Sequence, residues 1–241
     1  KTMGDAVWSM YDYNRGCCDN ICYSGVADIF RLPKFSLSFF RTQIAEGSML
    51  PSGKMPYEVF IPAYRDEILS DTVMVYGNVD EVELVLNGKT IRRQTADKGP
   101  DSDYIPVPNG GNGKNLHFPP FTFYGVPKER GVLKAVGYHQ GKKVAEYTVK
   151  TPGVPERLDI TYFESGKPAT KNDLLIVYVR MLDKQGVLCP VNGIPVELSV
   201  QGGEIVGPTS YPLEAGVASF LVRTGEISKI NINATGKGFS T

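Results

Sequence analysis

DAVWSMYDYNRGCCDNICYSGVADIFRLPKFSLSFFRTQ, residues Asp5 to Gln43, reads differently from everything that follows it. Ala6–Tyr11 is a short, mostly apolar run that suits a buried strand, with Trp8 inside it. A polar loop bearing cysteines comes next. Arg31–Ile44 then predicts a helix, with Pro33 suited to its first turn. Leu32, Phe35 and Phe39 form one apolar stripe on that helix, and Leu37, Phe40 and Ile44 a second beside it. A helix apolar over so much of its circumference packs against two neighbours. Strand, loop and helix make one βα unit, which cannot bury its own apolar faces. The stretch therefore reads as part of a larger domain.

Composition narrows the classes. The chain has 241 residues, enough for one large domain or two to three small ones. Lys plus Arg equals Asp plus Glu at 26 each, so the basic stripe expected of a nucleic-acid binder is missing. No apolar run reaches the roughly 20 residues of a membrane helix, and KTMGDAVWSM lacks the order of a signal peptide. The predicted partners therefore include neither nucleic acid nor membrane. Cys17, Cys18 and Cys22 cluster, and Cys189 stands apart. Zinc needs four ligands at metal spacing, and His117 and His139 fall in another predicted module. No metal and no cofactor are expected. Adjacent Cys17 and Cys18 are too close to pair with each other; Cys17–Cys22 and Cys18–Cys22 both remain open.

Beyond Gln43, AEGSMLPSGKMPY reads as an irregular connection. From Tyr57 short β-type runs take over. Within Glu81–Leu86 the alternation is strict: Val82, Leu84 and Leu86 share the face predicted to be buried. Asn87-Gly88 is a strong type I′ hairpin signal, and Gln140-Gly141 marks a second hairpin. Residues 97–114 form a polar loop rich in Gly and Pro. Its Asp97, Asp101 and Asp103 fit no calcium-loop spacing, and its GGNGK run lacks the context of a phosphate loop. Thr151–Pro155 is a stiff boundary, followed by a second strand-rich module of different pattern. The architecture predicted is mainly β. It has two immunoglobulin-like β-sandwich domains, at 46–152 and 153–241, preceded by the βα unit at 1–45.

Catalytic patterns are missing: there is no Ser-His-Asp set, dinucleotide fingerprint or zinc motif. Pairs such as Asp66-Glu67 and Asp80-Glu81 sit at turns or strand starts, where solvated surface is the default. Trp8 carries two readings, a core aromatic or a flat ring that stacks on the C–H face of a sugar. Tyr11, Asp12, Tyr13, Asn14 and Arg15 would form a polar rim beside it.

Trp8, Tyr11-Asp12-Tyr13, Gly25-Val26-Ala27-Asp28 and Pro33-Lys34 together resemble the last strand and helix of the (β/α)8 TIM barrel of glycoside hydrolase family 2. That family holds β-galactosidases, β-glucuronidases and β-mannosidases. VMVYGNVDEVELVLNGKTI, HFPPFTF and GVLKAVGYHQGKKVA resemble the β-sandwich that follows the barrel, and Arg157 onward resembles an invasin-like immunoglobulin module. The CCDNIC insert departs from the family pattern.

The resemblance implies that 1–45 is a remnant βα unit, strand 8 and helix 8, of a barrel of about 250 residues. It implies a retaining mechanism with two glutamates roughly 5–5.5 Å apart, both expected before Lys1. No catalytic residue is therefore assigned here, and the chain alone should be inactive. Trp8 matches the family's sugar-stacking residue, with Asp12 and Asn14 as weaker substrate-binding candidates. The partner implied is a β-linked glycoside, with self-association into a homo-oligomer through the exposed barrel-remnant surface. The location implied is the periplasm or cell envelope. Helix 31–44 is expected to pack on the Tyr57–Lys150 module, while residues 1–30 depart from barrel geometry. Alternatives are a carbohydrate-binding module, using aromatics near Phe118–Tyr124, or a bacterial surface adhesin. Phe118, Phe121 and Phe123 read more readily as core.

Overall fold

The computed structural model describes residues 8–16, 20–63, 70–97, 116–163, 168–226 and 229–241. Ala6 and Val7, Cys17 and Cys18, Asp66 and Glu67, and Asp101 and Asp103 lie outside them. The chain divides into two compact units, Lys1–Thr151 and Pro152–Thr241.

The first unit begins with two short strands, β1 (Tyr13–Asn14) and β2 (Ile21–Cys22), followed by helix α1 (Phe35–Thr42). A small hairpin follows, β3 (Met49–Leu50) and β4 (Gly53–Lys54). Next come β5 (Val59–Phe60), β6 (Val73–Gly77), β7 (Glu81–Leu86), β8 (Lys89–Thr95), β9 (Phe121–Phe123), β10 (Val132–His139) and β11 (Lys142–Lys150). They form two sheets, ordered β11-β10-β7-β8 and β5-β6-β9. Val82, Leu84 and Leu86 are buried as their alternation requires. They meet Val73, Val75, Phe121, Phe123, Leu133 and Ala135 in one core. Phe121 and Phe123 are fully buried, which removes them from any sugar-binding face. The β7–β8 turn has φ of 50° at Asn87 and 79° at Gly88, as a type I′ turn demands. Asn87 also accepts the Val132 N–H at 2.9 Å and donates to the Arg130 carbonyl at 3.0 Å.

The helix is shorter than its apolar stripes predict. Arg31 adopts φ of 74°, outside helical space. Pro33 pairs with Ala27 in an antiparallel bridge instead of opening the helix, and Lys34 becomes the N-cap residue. The reason lies in Asp28. Its Oδ1 accepts the N–H groups of Phe30 and Leu32 at 2.8 Å each, a side-chain turn that holds residues 28–32 in a non-helical path. What remains helical packs on the sandwich: Phe35 meets Phe60, Phe39 meets Tyr76 edge-to-face, and Arg41 pairs with Glu58. Phe40, on the second stripe, stays exposed. The segment after Gln43, expected to be irregular, contains the β3–β4 hairpin and buries Met55.

The second unit contains β12 (Pro155–Tyr162), β13 (Leu174–Asp183), β14 (Pro195–Gln201), β15 (Gly203–Ile205), β16 (Ser210–Pro212), β17 (Val217–Thr224), β18 (Asn231–Gly236) and β19 (Phe239–Ser240). Its sheets run β12-β13-β17-β15 and β16-β14-β18-β19. Leu158, Val179, Met181, Leu198 and Phe220 fill the space between them. Buried Asp183 closes the turn after β13. Its carboxylate accepts N–H groups from Gly153 at 2.7 Å, Gln185 at 2.9 Å and Val187 at 2.8 Å. Among the described residues no helix is long and apolar enough to cross a membrane.

Candidate functional site: the Trp8–Lys34 segment

Trp8 is 73% exposed, so the buried-strand reading of Ala6–Tyr11 does not hold for its described part. Among residues 8–11 regular pairing is limited to a parallel bridge from Tyr11 to Ala27. The backbone of 9–12 instead runs beside 24–27 through a set of cross-bonds. Ser9 donates to the Ser24 carbonyl at 3.2 Å, and Val26 donates to that of Ser9 at 3.1 Å. Ala27 donates to Met10 and Asp12 to Ala27, each at 3.0 Å.

Gly25 permits this approach. A Cβ there would lie 2.3 Å from the Asp12 nitrogen and 2.5 Å from the Ala27 carbonyl oxygen, so any side chain would force the two segments apart. A short ladder continues the arrangement, with Tyr13 opposite Cys22 and Asn14 opposite Ile21.

The three sequence candidates occupy different environments. Trp8 presents its ring to solvent, and its indole N–H donates to the Tyr13 hydroxyl at 2.8 Å. The two rings stand edge-on, 6.3 Å apart at 78°. Asn14 is exposed, and its side-chain carbonyl accepts the Gly16 N–H at 2.9 Å. Asp12 is only 5% exposed. Its Oδ1 accepts the Gly25 N–H at 2.9 Å and the Lys34 ammonium at 2.6 Å. Trp8 and Asn14 thus lie on the surface, while Asp12 is turned inward.

Around them, Arg31 lies over the Tyr11 ring at 4.1 Å. Lys34 also donates to the Tyr23 carbonyl at 3.1 Å. A hydrogen bond with Tyr13 holds the Arg15 guanidinium above its ordinary pKa. Hydrogen bonds from Ser24 and then Tyr13 draw the Cys22 thiol below its own. Cys22 and Cys189 are free thiols; the Cys17 and Cys18 pairings lie outside the described residues. No cluster of three or more metal-ligating side chains occurs among the described residues.

The segment therefore combines exposed aromatic surface with internally bonded polar groups. It offers one open indole, a tyrosine that orients it and a polar rim. Sequence reasoning missed the roles of Gly25 and Lys34. The signal was present in the side-chain count: an Asp placed between two aromatics, with one lysine at the start of the next helix.

Elsewhere in the first unit, a cleft of about 410 Å³ is lined by Tyr57, Phe60 and Tyr147, with Glu58 and Glu146 at its edge. Glu58 pairs with Arg41, and Glu146 with Lys143 at 2.6 Å. His139 stacks on Tyr57 at 5.0 Å and lies 3.1 Å from the Asp80 carboxylate. Asp97 accepts both the hydroxyl and the N–H of Thr122, at 2.6 and 3.3 Å. Burial nevertheless raises its pKa.

Known proteins are similar to this chain in sequence and fold. Residues 70–145 match a family described as a domain of unknown function, DUF4982. A β-galactosidase of Thermoanaerobacter pseudethanolicus is 32% identical over 237 residues, spanning 92% of this chain and 30% of that protein. A β-galactosidase of Rhizobium radiobacter is 30% identical over 127 residues, spanning 52% of this chain and 91% of that sequence. Among solved structures, a β-glycosidase from Bacteroides vulgatus superposes with a TM-score of 0.74 at 16% identity, over 97% of this chain and 29% of that one. A β-glucuronidase from glycoside hydrolase family 2 gives a TM-score of 0.71 at 22% identity, over 92% of this chain and 22% of that one. The chain thus spans about a third of the length of the first curated relatives it matches.

Proposed function

Since this chain belongs to glycoside hydrolase family 2, as part of that family's C-terminal region, we propose that it is the non-catalytic portion of a retaining β-glycosidase of the β-galactosidase type. The observation that carries the reading is the open indole of Trp8, fixed through its N–H by Tyr13. A tryptophan buried in a core would serve packing alone. One held edge-on to a tyrosine and left exposed presents its flat apolar face to a ligand. The C–H face of a sugar ring complements that surface, and Asn14 stands on the rim for its hydroxyls.

The carboxylates of this segment support a binding role over a catalytic one. Double displacement needs two carboxyl groups roughly 5–5.5 Å apart, one as nucleophile and one as acid/base. Asp12 and Asp28 are each engaged by internal donors. Glu58, Glu81, Glu83 and Glu146 of the first sandwich pair with arginine, lysine or a neighbouring hydroxyl. The sandwiches then brace the catalytic barrel or mediate association with a second copy, the apolar side chains left exposed near the segment serving as contact. By family likeness the protein acts in the periplasm or cell envelope, in the breakdown of β-linked carbohydrate.

The test is hydrolysis of a chromogenic β-galactoside by the purified 241 residues. The expected result is no turnover above the buffer control, with the fold intact by circular dichroism. Clear turnover would overturn the non-catalytic reading.

A further inference from the structure

We propose that Asp12 is a positioning residue for the Trp8 surface, acting through its ion pair with Lys34; the inference rests on the reading of Trp8 as the sugar-facing group. Between residues 8 and 34, Ala27 is the sole buried hydrophobic side chain among the described residues. Apolar burial therefore supplies little to fix this backbone. The other buried positions are Asp12 and Gly25, and they are bonded to each other.

One oxygen, Asp12 Oδ1, joins three pieces of chain. It holds its own segment, the Gly25 turn, and Lys34 at the N-terminal boundary of α1. The Lys34 backbone N–H closes the circuit by donating to the Val26 carbonyl at 3.0 Å. Tyr13 follows Asp12 directly, and its hydroxyl holds the Trp8 indole. The carboxylate thus anchors the residue next to the one that orients the ring. A charge-assisted bond of this length, at a carboxylate shielded from water, is stronger than a neutral one. It ties the surface to α1, which itself packs on the first sandwich through Phe35 and Phe39.

The experiment uses the intact chain without sugar. It reads amide hydrogen exchange and the anisotropy of Trp8, the one tryptophan in the sequence. Four variants are compared with the parent: Asp12→Asn, Lys34→Met, the two combined, and Lys34→Arg. Asp12→Asn and Lys34→Met should each speed exchange at Gly25 and Ala27 by about tenfold and lower the Trp8 anisotropy. The double variant should do no more than either single, because one coupled pair is lost in each case. Lys34→Arg, which keeps the cation, should stay close to the parent. Amides of β7 and β10 should be unmoved throughout.

Three results would overturn the proposal. The first is unchanged Trp8 anisotropy in Asp12→Asn. The second is a silent Lys34→Met beside a disruptive Asp12→Asn, which would leave Asp12 a packing role alone. The third is equal acceleration of the β7 and β10 amides, which would mark global unfolding. Since no sugar is present, a failure of Trp8 to contact sugar leaves these results standing, and their failure leaves the sugar-contact question open to its own test.

Discussion

The first sandwich and the Trp8–Lys34 segment belong to the same unit and are held by opposite means. In the sandwich, more than a dozen buried apolar side chains share one core. In the segment, a few polar bonds converge on Asp12 and Asp28, and Trp8 and Tyr23 are exposed. Burial is non-directional and scales with area, so the cost of a change follows the size of the side chain removed. Polar pins are directional and local, and they leave the surrounding side chains free to meet a ligand. Under the proposed reading of Trp8, the second device is the one that sets its orientation.

Substitutions sharpen that contrast. The largest effect is expected in the core. Phe121→Ala or Phe123→Ala should cost about 3–5 kcal/mol of the first unit's stability, measured by urea unfolding. A loss below about 1 kcal/mol would contradict the packing described. In the second unit, Asp183→Ala leaves three backbone N–H groups without their shared acceptor and should cost about 2–3 kcal/mol. Asn87→Ala removes two side-chain bonds to Arg130 and Val132 and places alanine at positive φ, for about 1–2 kcal/mol. Trp8→Ala should stand at the other end, within about 0.5 kcal/mol of the parent. A large loss there would return Trp8 to the core and erase the comparison.

Acid titration probes the same unit through its carboxylates. Hydrogen bonds from the Gln140 N–H and then His139 lower Asp80, and those from Thr90 and then Tyr138 lower Glu83. A depressed carboxylate stabilises the fold above its ordinary value, 3.8 for Asp80 and 4.5 for Glu83, and loses that contribution as pH falls through the folded value. Asp97 works the other way. Burial raises it, so its contribution is complete below 3.8 and is lost as pH rises through the raised value. Asp80→Asn and Glu83→Gln should therefore flatten the acid side of the stability profile. Asp97→Asn should remove the opposing slope. Unfolding midpoints across pH 3–6, roughly the carboxylate range, check both signs.

The sandwich was legible in the sequence because its signals are periodic. Val82, Leu84 and Leu86 alternate as a half-buried strand must, and Asn87-Gly88 takes the positive φ values that only a few residues accept. The segment was not legible in the same way. An apolar run containing Trp8 has the composition of a buried strand, and nothing local reveals that the ring turns outward. Arg31–Ile44 carries helical spacing from end to end, yet the Asp28 turn and the positive φ of Arg31 keep its first residues out of the helix. Asp12 reads as a rim residue from its neighbours. Its burial depends on Gly25 and Lys34, 13 and 22 residues away in sequence, and long-range pairing of that kind leaves no period to detect. The family likeness named these residues in one pattern without pairing them.

The most direct test of the central claim, that Trp8 offers an oriented face to a sugar, is a titration of its fluorescence with a β-galactoside. The predicted result is a saturable change in Trp8 emission in roughly the millimolar range expected of a single weak contact. Tyr13→Phe, which removes the hydroxyl that holds the indole, should weaken that response. Trp8 emission indifferent to β-galactoside, in a chain that remains folded, would contradict the account.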